Sequence, residues 1–437
     1  MKNNIIKPSI LAGFMELLPK NQKKFDDIVS KIKAVYEENG CEAIDTPIIE
    51  KSEVLLAKSG GETEKQVYSF EKGKNKMALR FDLTVPFARY TAQHFDELAF
   101  PFRRYQIGKV YRGERNQRGR YRELYQYDVD VIGKNSLSIN NDAWVINLAD
   151  RAFKAIGLTS YKFQISNRKI LKGILSELEI ERENDVMTLI DKYDKIGEKC
   201  FNDELTKVIG SEQAEIINNI ISIEGSSDET IKRLSEFKFS NETFIEGIKE
   251  LEKVTNILSC LGVSSDKFTI NLKIIRGLDY YTGTVFEFTV DSIGAQSTVC
   301  GGGRYDGLLS SIGGPELPAV GFGMGITRLI QALKDEDLVP EFNNGCDVYI
   351  APLGENATLP AFILAQKLKE AGVAAETDLC GRSLKAQMKY ADKAGASYVL
   401  VVGDDEIQKN SAELRNMGNG ERAQVELTAE KIAEMIK

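Results

Sequence analysis

The densest chemistry in the sequence lies between Phe102 and Gly133, FRRYQIGKVYRGERNQRGRYRELYQYDVDVIG, where Arg112, Arg115, Arg118, Arg120 and Arg122 gather on one stretch. Guanidinium groups grip oxyanions in pairs, so such a cluster suits a triphosphate. If Asn116 to Gly119 form the turn of a hairpin, Arg112, Glu114 and Arg120 can share a face across it. By charge count alone, the same hairpin is equally a solvated surface feature. Four further stretches could serve a small polar substrate. LRFDLT brings Asp82 and Thr84 to the end of a strand, and IIRGLDYYTGTVFEF sets Arg276 beside a glycine and two adjacent tyrosines, Tyr280 and Tyr281. On a strand those two rings point opposite ways, so one of them is expected to be structural. CGGGRYDGLL allows close backbone approach to a ligand, although a tight turn is the commoner reason for such glycines. GFGMGITRLI places Arg328 at the start of a helix, where a lone arginine is most often a surface residue.

The missing residue types narrow the chemistry further. The 437 residues include one histidine, His94, whose surroundings (RYTAQHFDEL) carry no nucleophile signature. A Ser-His-Asp or Cys-His arrangement would have to run through it alone. Six cysteines, Cys41, Cys200, Cys260, Cys300, Cys346 and Cys380, stand far apart with no CxxC pair, which excludes the usual zinc frameworks. No metal-binding residues are assigned. The chemistry must rest on carboxylates, arginines, tyrosines and backbone groups. A net charge of -8 argues against broad nonspecific nucleic-acid binding but leaves room for a local basic surface. No apolar run approaches the roughly 20 residues that span a bilayer, and MKNNIIKPSILAGFMELLPK does not read as a secretory signal. A cytoplasmic protein without membrane contact is expected.

The elements that must position these residues follow from the apolar spacing. Phe25, Ile28, Val29, Ile32, Val35 and Tyr36 predict an amphipathic helix over 23–39, stopped by Gly40, with a strand edge at Pro47. MALRFDL, YQIGKVYRGE and ELYQYDVDVIG read as antiparallel strands, and 141–157 as a helix. Residues 170–262 are helix-rich and charged and carry none of the stretches above, so they read as an insertion domain. FTINLKIIRG and TGTVFEFTV return to strand. A linker is expected at 332–345, and from 346 to 437 a separate α/β domain with mostly parallel strands, whose helices span 359–371 and 382–394. Arg382, Lys385, Lys389 and Lys393, spaced three, four and four apart, would then lie on one helical face beside Tyr390.

With these stretches in this order, the chain resembles the histidyl-tRNA synthetase family, class II aminoacyl-tRNA synthetases, along essentially its whole length. The first helix with Pro47 resembles motif 1 of that class, YRGERNQRGRYREL motif 2 and GFGMGITRLI motif 3. RGLDYYTGTVFE and CGGGRYDGLL resemble the two signatures that set this family apart, the former highly specific. The resemblance implies an α+β catalytic domain over 1–331, an antiparallel sheet flanked by helices, interrupted by the helical insertion. An α/β anticodon-binding domain then follows over 346–437. It also implies ATP with Mg2+, L-histidine and tRNA(His) as ligands, and a homodimer. Carried over position by position, Arg112 holds the α-phosphate, Glu114 meets adenine, and Arg120 and Arg328 clamp the distal phosphates. Asp82, Thr84 and Gln126 receive the α-amino group, Asp130 and Tyr281 bind the imidazole, and Leu83 and Tyr280 complete the histidine site. Arg276 approaches the carboxylate and, with Arg112, supports catalysis. Leu124 stands where the family usually stacks an aromatic ring on adenine, which removes a term of roughly 1 kcal/mol.

The basic stripe, with Arg382, Lys385 and Lys389 at its centre, is in isolation most simply a solvated helix face, whereas in this family it suits a tRNA backbone. A related reading is the regulatory subunit of ATP phosphoribosyltransferase, a histidine-sensing paralogue without catalysis. Such paralogues typically lack the C-terminal domain and tend to lose the arginines that Arg112, Arg120 and Arg328 represent. Synthetases for proline or threonine fit less well, because their substrates give no reason for an acid at Asp130.

Overall fold

The computed structural model describes residues 7–57, 62–114, 121–275, 280–296, 298–339 and 345–436. The chain divides into two compact units, residues 1–16 with 28–339 and residues 17–27 with 340–437. A helix spans Pro19–Glu38, and its part from Ile28 onward belongs to the larger unit; Gly40 at φ +72° ends it, a conformation glycine adopts without strain. Then come β1 (Glu42–Ala43) and a small antiparallel sheet of β2 (Ile49–Lys51), β3 (Ser69–Lys72) and β4 (Asn75–Leu79), in the order β2-β4-β3.

The main sheet adds β5 (Phe102–Tyr111), β6 (Glu123–Ile132), β7 (Tyr161–Asn167), β8 (Phe268–Ile270), β9 (Thr284–Val290), β10 (Thr298–Tyr305) and β11 (Ala319–Gly325). Its order is β1-β5-β6-β11-β10-β9-β7-β8. The centre is antiparallel as expected, but each edge carries one parallel pair, β1 with β5 and β7 with β8. Parallel neighbours need long crossovers, and the chain supplies them here with the small sheet on one side and the insertion on the other.

Period-two alternation gives this sheet two different faces. One face is packed: Tyr36 of the first helix meets Tyr127 edge-on at 5.0 Å, and Phe153 of the helix Asn140–Ala155 meets Phe288 at 5.2 Å. The other face is covered at one end by the helix Thr84–Gln93, where Phe87 packs on Phe102 at 6.1 Å, within a cluster that includes Ile132, Tyr305 and Leu309. Beyond that cluster the face is bare. There Gly301, Gly302 and Gly303 of β10 pair with Gly323, Phe322 and Gly321 of β11.

The insertion runs from the helix Arg168–Glu177 to the helix Glu242–Cys260, close to the expected 170–262. Asn167, the last residue of β7, caps its first helix by accepting the Lys169 N–H at 3.0 Å. The expected linker at 332–345 is corrected at its start. The helix Ile326–Asp335 runs into its first four residues because Ala332 and Leu333 are buried. Residues 340–344 lie outside the described residues.

The smaller unit comprises β12 (Val348–Pro352), β13 (Ala375–Thr377), β14 (Tyr398–Val402), β15 (Ser411–Asn416) and β16 (Arg422–Glu426), ordered β13-β12-β14-β15-β16. The first three strands are parallel and the last two form an antiparallel hairpin, which corrects the mostly parallel reading. SAELRN and RAQVE bury few side chains, so their alternation is weak in the sequence.

The glycine pairing is testable. A Cβ at Gly321 would overlap Asp130 Oδ1 and the Val129 carbonyl, whereas at Gly325 it meets nothing nearer than 3.6 Å. Gly321→Ala should therefore destabilise the fold by about 1–3 kcal/mol, and Gly325→Ala by less than about 0.5 kcal/mol. Urea unfolding compares the two, and equal effects would contradict the close packing described here.

Candidate active site

The bare face carries a cavity of about 360 Å³ at the centre of the main sheet. Its geometry begins with β6. Gln126, Asp128 and Asp130 project to one face at two-residue spacing. On one side they pair with Gly108, Gln106 and Arg104 of β5, on the other with Gly325, Gly323 and Gly321 of β11. Glycine at Gly323 and Gly325, and at Gly301 beyond them, leaves a floor of backbone. The walls are side chains from other elements.

Asp82 follows β4 and is buried, its Oδ1 accepting the Val85 N–H at 3.0 Å in the first turn of the helix Thr84–Gln93. Burial raises its pKa, opposed by that hydrogen bond and by Arg112. Arg112 lies over the Phe81 ring at 4.7 Å, donates from Nε to the Phe81 carbonyl at 3.2 Å, and reaches Gln126 Oε1 from Nη2 at 3.5 Å. Asp82, Thr84, Arg112, Leu124, Gln126 and Arg328 all line the cavity. Arg328 donates to the Thr298 carbonyl at 3.0 Å, and Thr298 Oγ1 donates to Glu287 at 3.2 Å.

Tyr280 and Tyr281 both line the cavity, with ring centroids 4.7 Å apart. The expectation that one is turned away fails because they precede β9, which starts at Thr284, and so escape strand alternation. Asp130 lies behind the cavity wall. Its Oδ1 accepts the Tyr305 hydroxyl at 2.5 Å and its Oδ2 pairs with Arg104, a fully buried guanidinium held over Phe87 at 4.3 Å. Burial raises the Asp130 pKa against the pull of Arg104 and Tyr305. Leu83 is fully buried, and its carbonyl accepts from Arg104 at 3.3 Å.

Of the arginine cluster, Arg112 reaches the cavity, whereas Arg122 is structural: its Nε donates to the Glu114 carbonyl at 3.1 Å and its Nη1 to that of Ala12 at 3.4 Å. Glu114 is not among the cavity-lining residues. Arg115, Arg118, Arg120, the turn at 116–119 and Arg276 lie outside the described residues.

Three acidic cavity residues were not anticipated: Asp128, Glu287 and Asp191. Asp128 could have been found, since it sits two residues from both Gln126 and Asp130. Glu287 alternates with the apolar residues of β9 and so points to the same face. Asp191 ends the insertion helix Glu183–Asp191, and only tertiary packing brings it here.

Residues 13–329 match the family described as histidyl-tRNA synthetase, and residues 347–437 match the anticodon binding domain. The chain is 51% identical to a histidine–tRNA ligase of Clostridium acetobutylicum over 97% of its own length and 99% of that protein's. It is 43% identical to one of Clostridium tetani over 98% of each chain. It belongs to the histidyl-tRNA synthetase family. A histidyl-tRNA synthetase structure from Nostoc sp. PCC 7120 superposes with a TM-score of 0.86 at 34% identity, covering 99% of both chains. The fold is shared with a Bacillus halodurans structure described as an ATP phosphoribosyltransferase regulatory subunit/histidyl-tRNA synthetase, with a TM-score of 0.77 at 24% identity.

The family's C-terminal domain here carries a shorter basic stripe than its spacing predicts. The helix starts at Leu384, so Arg382 precedes it. Arg382 Nε binds Asp378 Oδ1 at 2.5 Å, and its guanidinium lies 4.1 Å over the Tyr390 ring. Lys385, Lys389 and Lys393 remain exposed on the helix. Among the described residues, no helix is long and apolar enough to cross a membrane, and no group of three potential ligands forms a metal site.

Asp128 has its pKa pushed well above the carboxylate range, first by burial, with Arg104 opposing and Asp130 and Asp82 reinforcing. Between the unfolded value of about 4 and this raised one, the folded protein keeps a proton the unfolded chain has lost. This group's contribution to stability therefore falls as pH rises. Asp128→Asn removes that dependence, so the variant should gain stability relative to the parent as pH rises above about 4, by at most about 1.4 kcal/mol per pH unit. Denaturation curves at several pH values measure it, and a difference that stays flat across the range would refute the burial argument.

Proposed function

We propose that this chain is a histidine–tRNA ligase that forms histidyl-adenylate from L-histidine and MgATP, then passes the histidyl group to the 3′ end of tRNA(His). The observation that carries the reading is the near full-length match to histidine–tRNA ligases, C-terminal domain included, around a cavity that keeps Arg112 and Arg328. A regulatory paralogue of ATP phosphoribosyltransferase would need neither feature.

In the first step a histidine carboxylate oxygen bonds to the α-phosphorus and the bond to the β-phosphate oxygen breaks, releasing pyrophosphate. In the second, a ribose hydroxyl of the tRNA takes the acyl group, and AMP leaves. Both steps build negative charge at the α-phosphate, and fixed cations already in place stabilise it without reorganisation. Arg112, pinned by Phe81 and Gln126, is assigned to that phosphate together with Arg276, and Arg120 and Arg328 to the distal phosphates. Glu114 is assigned to adenine, with Leu124 covering the ring. The α-ammonium group is assigned to Asp82, Thr84 and Gln126 beside Leu83, and the imidazole to Asp130, Tyr280 and Tyr281. The smaller unit would hold tRNA through Arg382, Lys385 and Lys389, and the enzyme would work as a cytoplasmic homodimer.

Purified protein should support ATP–pyrophosphate exchange with histidine and with no other amino acid. Arg112→Ala should lower that exchange by roughly 10²–10³-fold, the usual cost of removing one donor to a developing oxyanion, and near-parental exchange would remove Arg112 from the mechanism. Lys385→Glu with Lys389→Glu should depress tRNA charging at least tenfold more than exchange. Equal losses in the two assays would count against the lysine face.

A further inference from the structure

The stretch that delivers Asp82 and anchors Arg112 is held from behind by a residue that the assignments above do not use. Arg80 is 3% exposed and is not among the cavity-lining residues, yet it directly precedes Phe81 and Asp82, which are. Its main chain is bonded on both sides. The Arg80 N–H donates to the Ile48 carbonyl at 2.9 Å, and the Arg80 carbonyl accepts the Tyr111 N–H at 2.9 Å. The side chain repeats the connection: Nε donates to the Lys109 carbonyl at 2.8 Å and Nη1 to the Thr46 carbonyl at 2.6 Å. One guanidinium thus ties the end of β4 to β5 and to the segment between β1 and β2.

Burying a cation is costly, and charge pairing offsets little of that cost here. Asp45 stands 3.7 Å from Nη1 with its side chain 83% exposed. Burial lowers the Arg80 pKa from the usual arginine value, with Asp45 opposing. What the fork supplies is direction, two N–H groups fixed in one plane toward carbonyls of separate elements, which an ammonium on a flexible stem does not provide. The sheet also makes room for it. At Gly108 of β5, paired with Gln126 of β6, a Cβ would overlap Arg80 Nη2. The gap at Gly108 is therefore filled by guanidinium, whereas those at Gly301 and Gly323 open to the cavity.

We infer that Arg80 is a positioning residue for adenylate formation, fixing Phe81 and Asp82 together so that the cation for the α-phosphate and the acceptor for the ammonium group are set by one anchor. The inference rests on the histidine–tRNA ligase reading. Arg112 takes its orientation from the Phe81 carbonyl at 3.2 Å and the Phe81 ring at 4.7 Å, so a shift of residues 80–82 moves both groups. Charge at the α-phosphate grows in the transition state, so a displaced Arg112 lowers kcat. A displaced Asp82 raises KM for histidine. Arg328 is held by the Thr298 carbonyl at 3.0 Å, independently of Arg80, and keeps its hold on ATP.

The test compares the full-length parent with Arg80→Lys, Gly108→Ala and the double variant, well below their melting temperatures. Competent sites are counted from the burst of adenylate. Per competent site, Arg80→Lys should lower kcat for ATP–pyrophosphate exchange at least roughly tenfold, within the range that small misplacements produce. KM for histidine should rise at least threefold, with KM for ATP kept within twofold. Gly108→Ala, which displaces the guanidinium without removing it, should give the same split and serves alone if Arg80→Lys does not fold. The double variant should lose much less than the product of the two single losses. A merely structural arginine would lower the melting temperature and the number of competent sites, leaving kcat and KM per site unchanged, and that result overturns the inference. So do multiplicative losses in the double variant, or equal rises in KM for histidine and ATP. Absence of histidine-dependent exchange in the parent would instead strike the ligase reading itself.

Discussion

The site depends on two strands that meet without side chains. β10 and β11 pair Gly301 with Gly323 at the cavity, where one face of an otherwise packed sheet is bare backbone, and Gly303 with Gly321, where Tyr281 and Asp130 take up the space of the missing Cβ atoms. A sheet usually covers such a face with a helix or a second sheet. Here the helix Thr84–Gln93 covers one end, and the glycines leave the rest as a depression whose depth is set by missing Cβ atoms. Residues that look like flexible loop in the sequence are therefore among the most constrained in the fold. A ligand placed there touches backbone below and side chains around its rim.

That floor determines how charge is arranged. Gln126, Asp128 and Asp130 lie in one row because β6 alternates, and their neighbours on β5 give the row one fully buried cation, Arg104. Two acids beside one guanidinium cannot both be well compensated, and burial keeps the pKa of each above the ordinary carboxylate value. Arg104 pairs with Asp130, with the Tyr305 hydroxyl on the other oxygen. Asp128 Oδ1 and Asp130 Oδ2 are both buried without a hydrogen-bond partner, although Arg104 lies against the latter as an ion pair. The same strand therefore builds the core with one face and carries two poorly compensated acids on the other.

How much of this was legible in the sequence depended on the range of the interaction. The alternating strands and the helices of the insertion follow from local spacing, whereas the division of the helix Pro19–Glu38 between the two units does not. Asp82, Arg112 and Gln126 all line the cavity, and the stretches that carry them sit at or near the ends of strands and helices, whose geometry is local. The two tyrosines were misread because alternation was applied where no strand exists. Arg382 was misread because a three-residue step was taken as helical although Ser383 only begins the turn. Asp191 could not be read at all: nothing in the spacing of the insertion shows which end of its helix meets the sheet.

Asp191 also indicates why an insertion would be retained beside a catalytic sheet. A carboxylate at a helix C-terminus faces the partial negative end of the helix dipole, which disfavours it by a few tenths of a kcal/mol or more. Its position on the cavity wall offsets that cost only if the acid meets a positive or hydrogen-bonding group there. The insertion and the sheet are joined closely: Gly173 and Gly247 let the helices Arg168–Glu177 and Glu242–Cys260 cross so tightly that a Cβ at Gly173 would overlap the Phe244 backbone. Asn167 ties the first of them to β7, itself a strand of the main sheet. The Asn167 cap thus fixes where the insertion leaves the main sheet, at the end of β7, and the glycine crossing fixes how its first and last helices pack on each other.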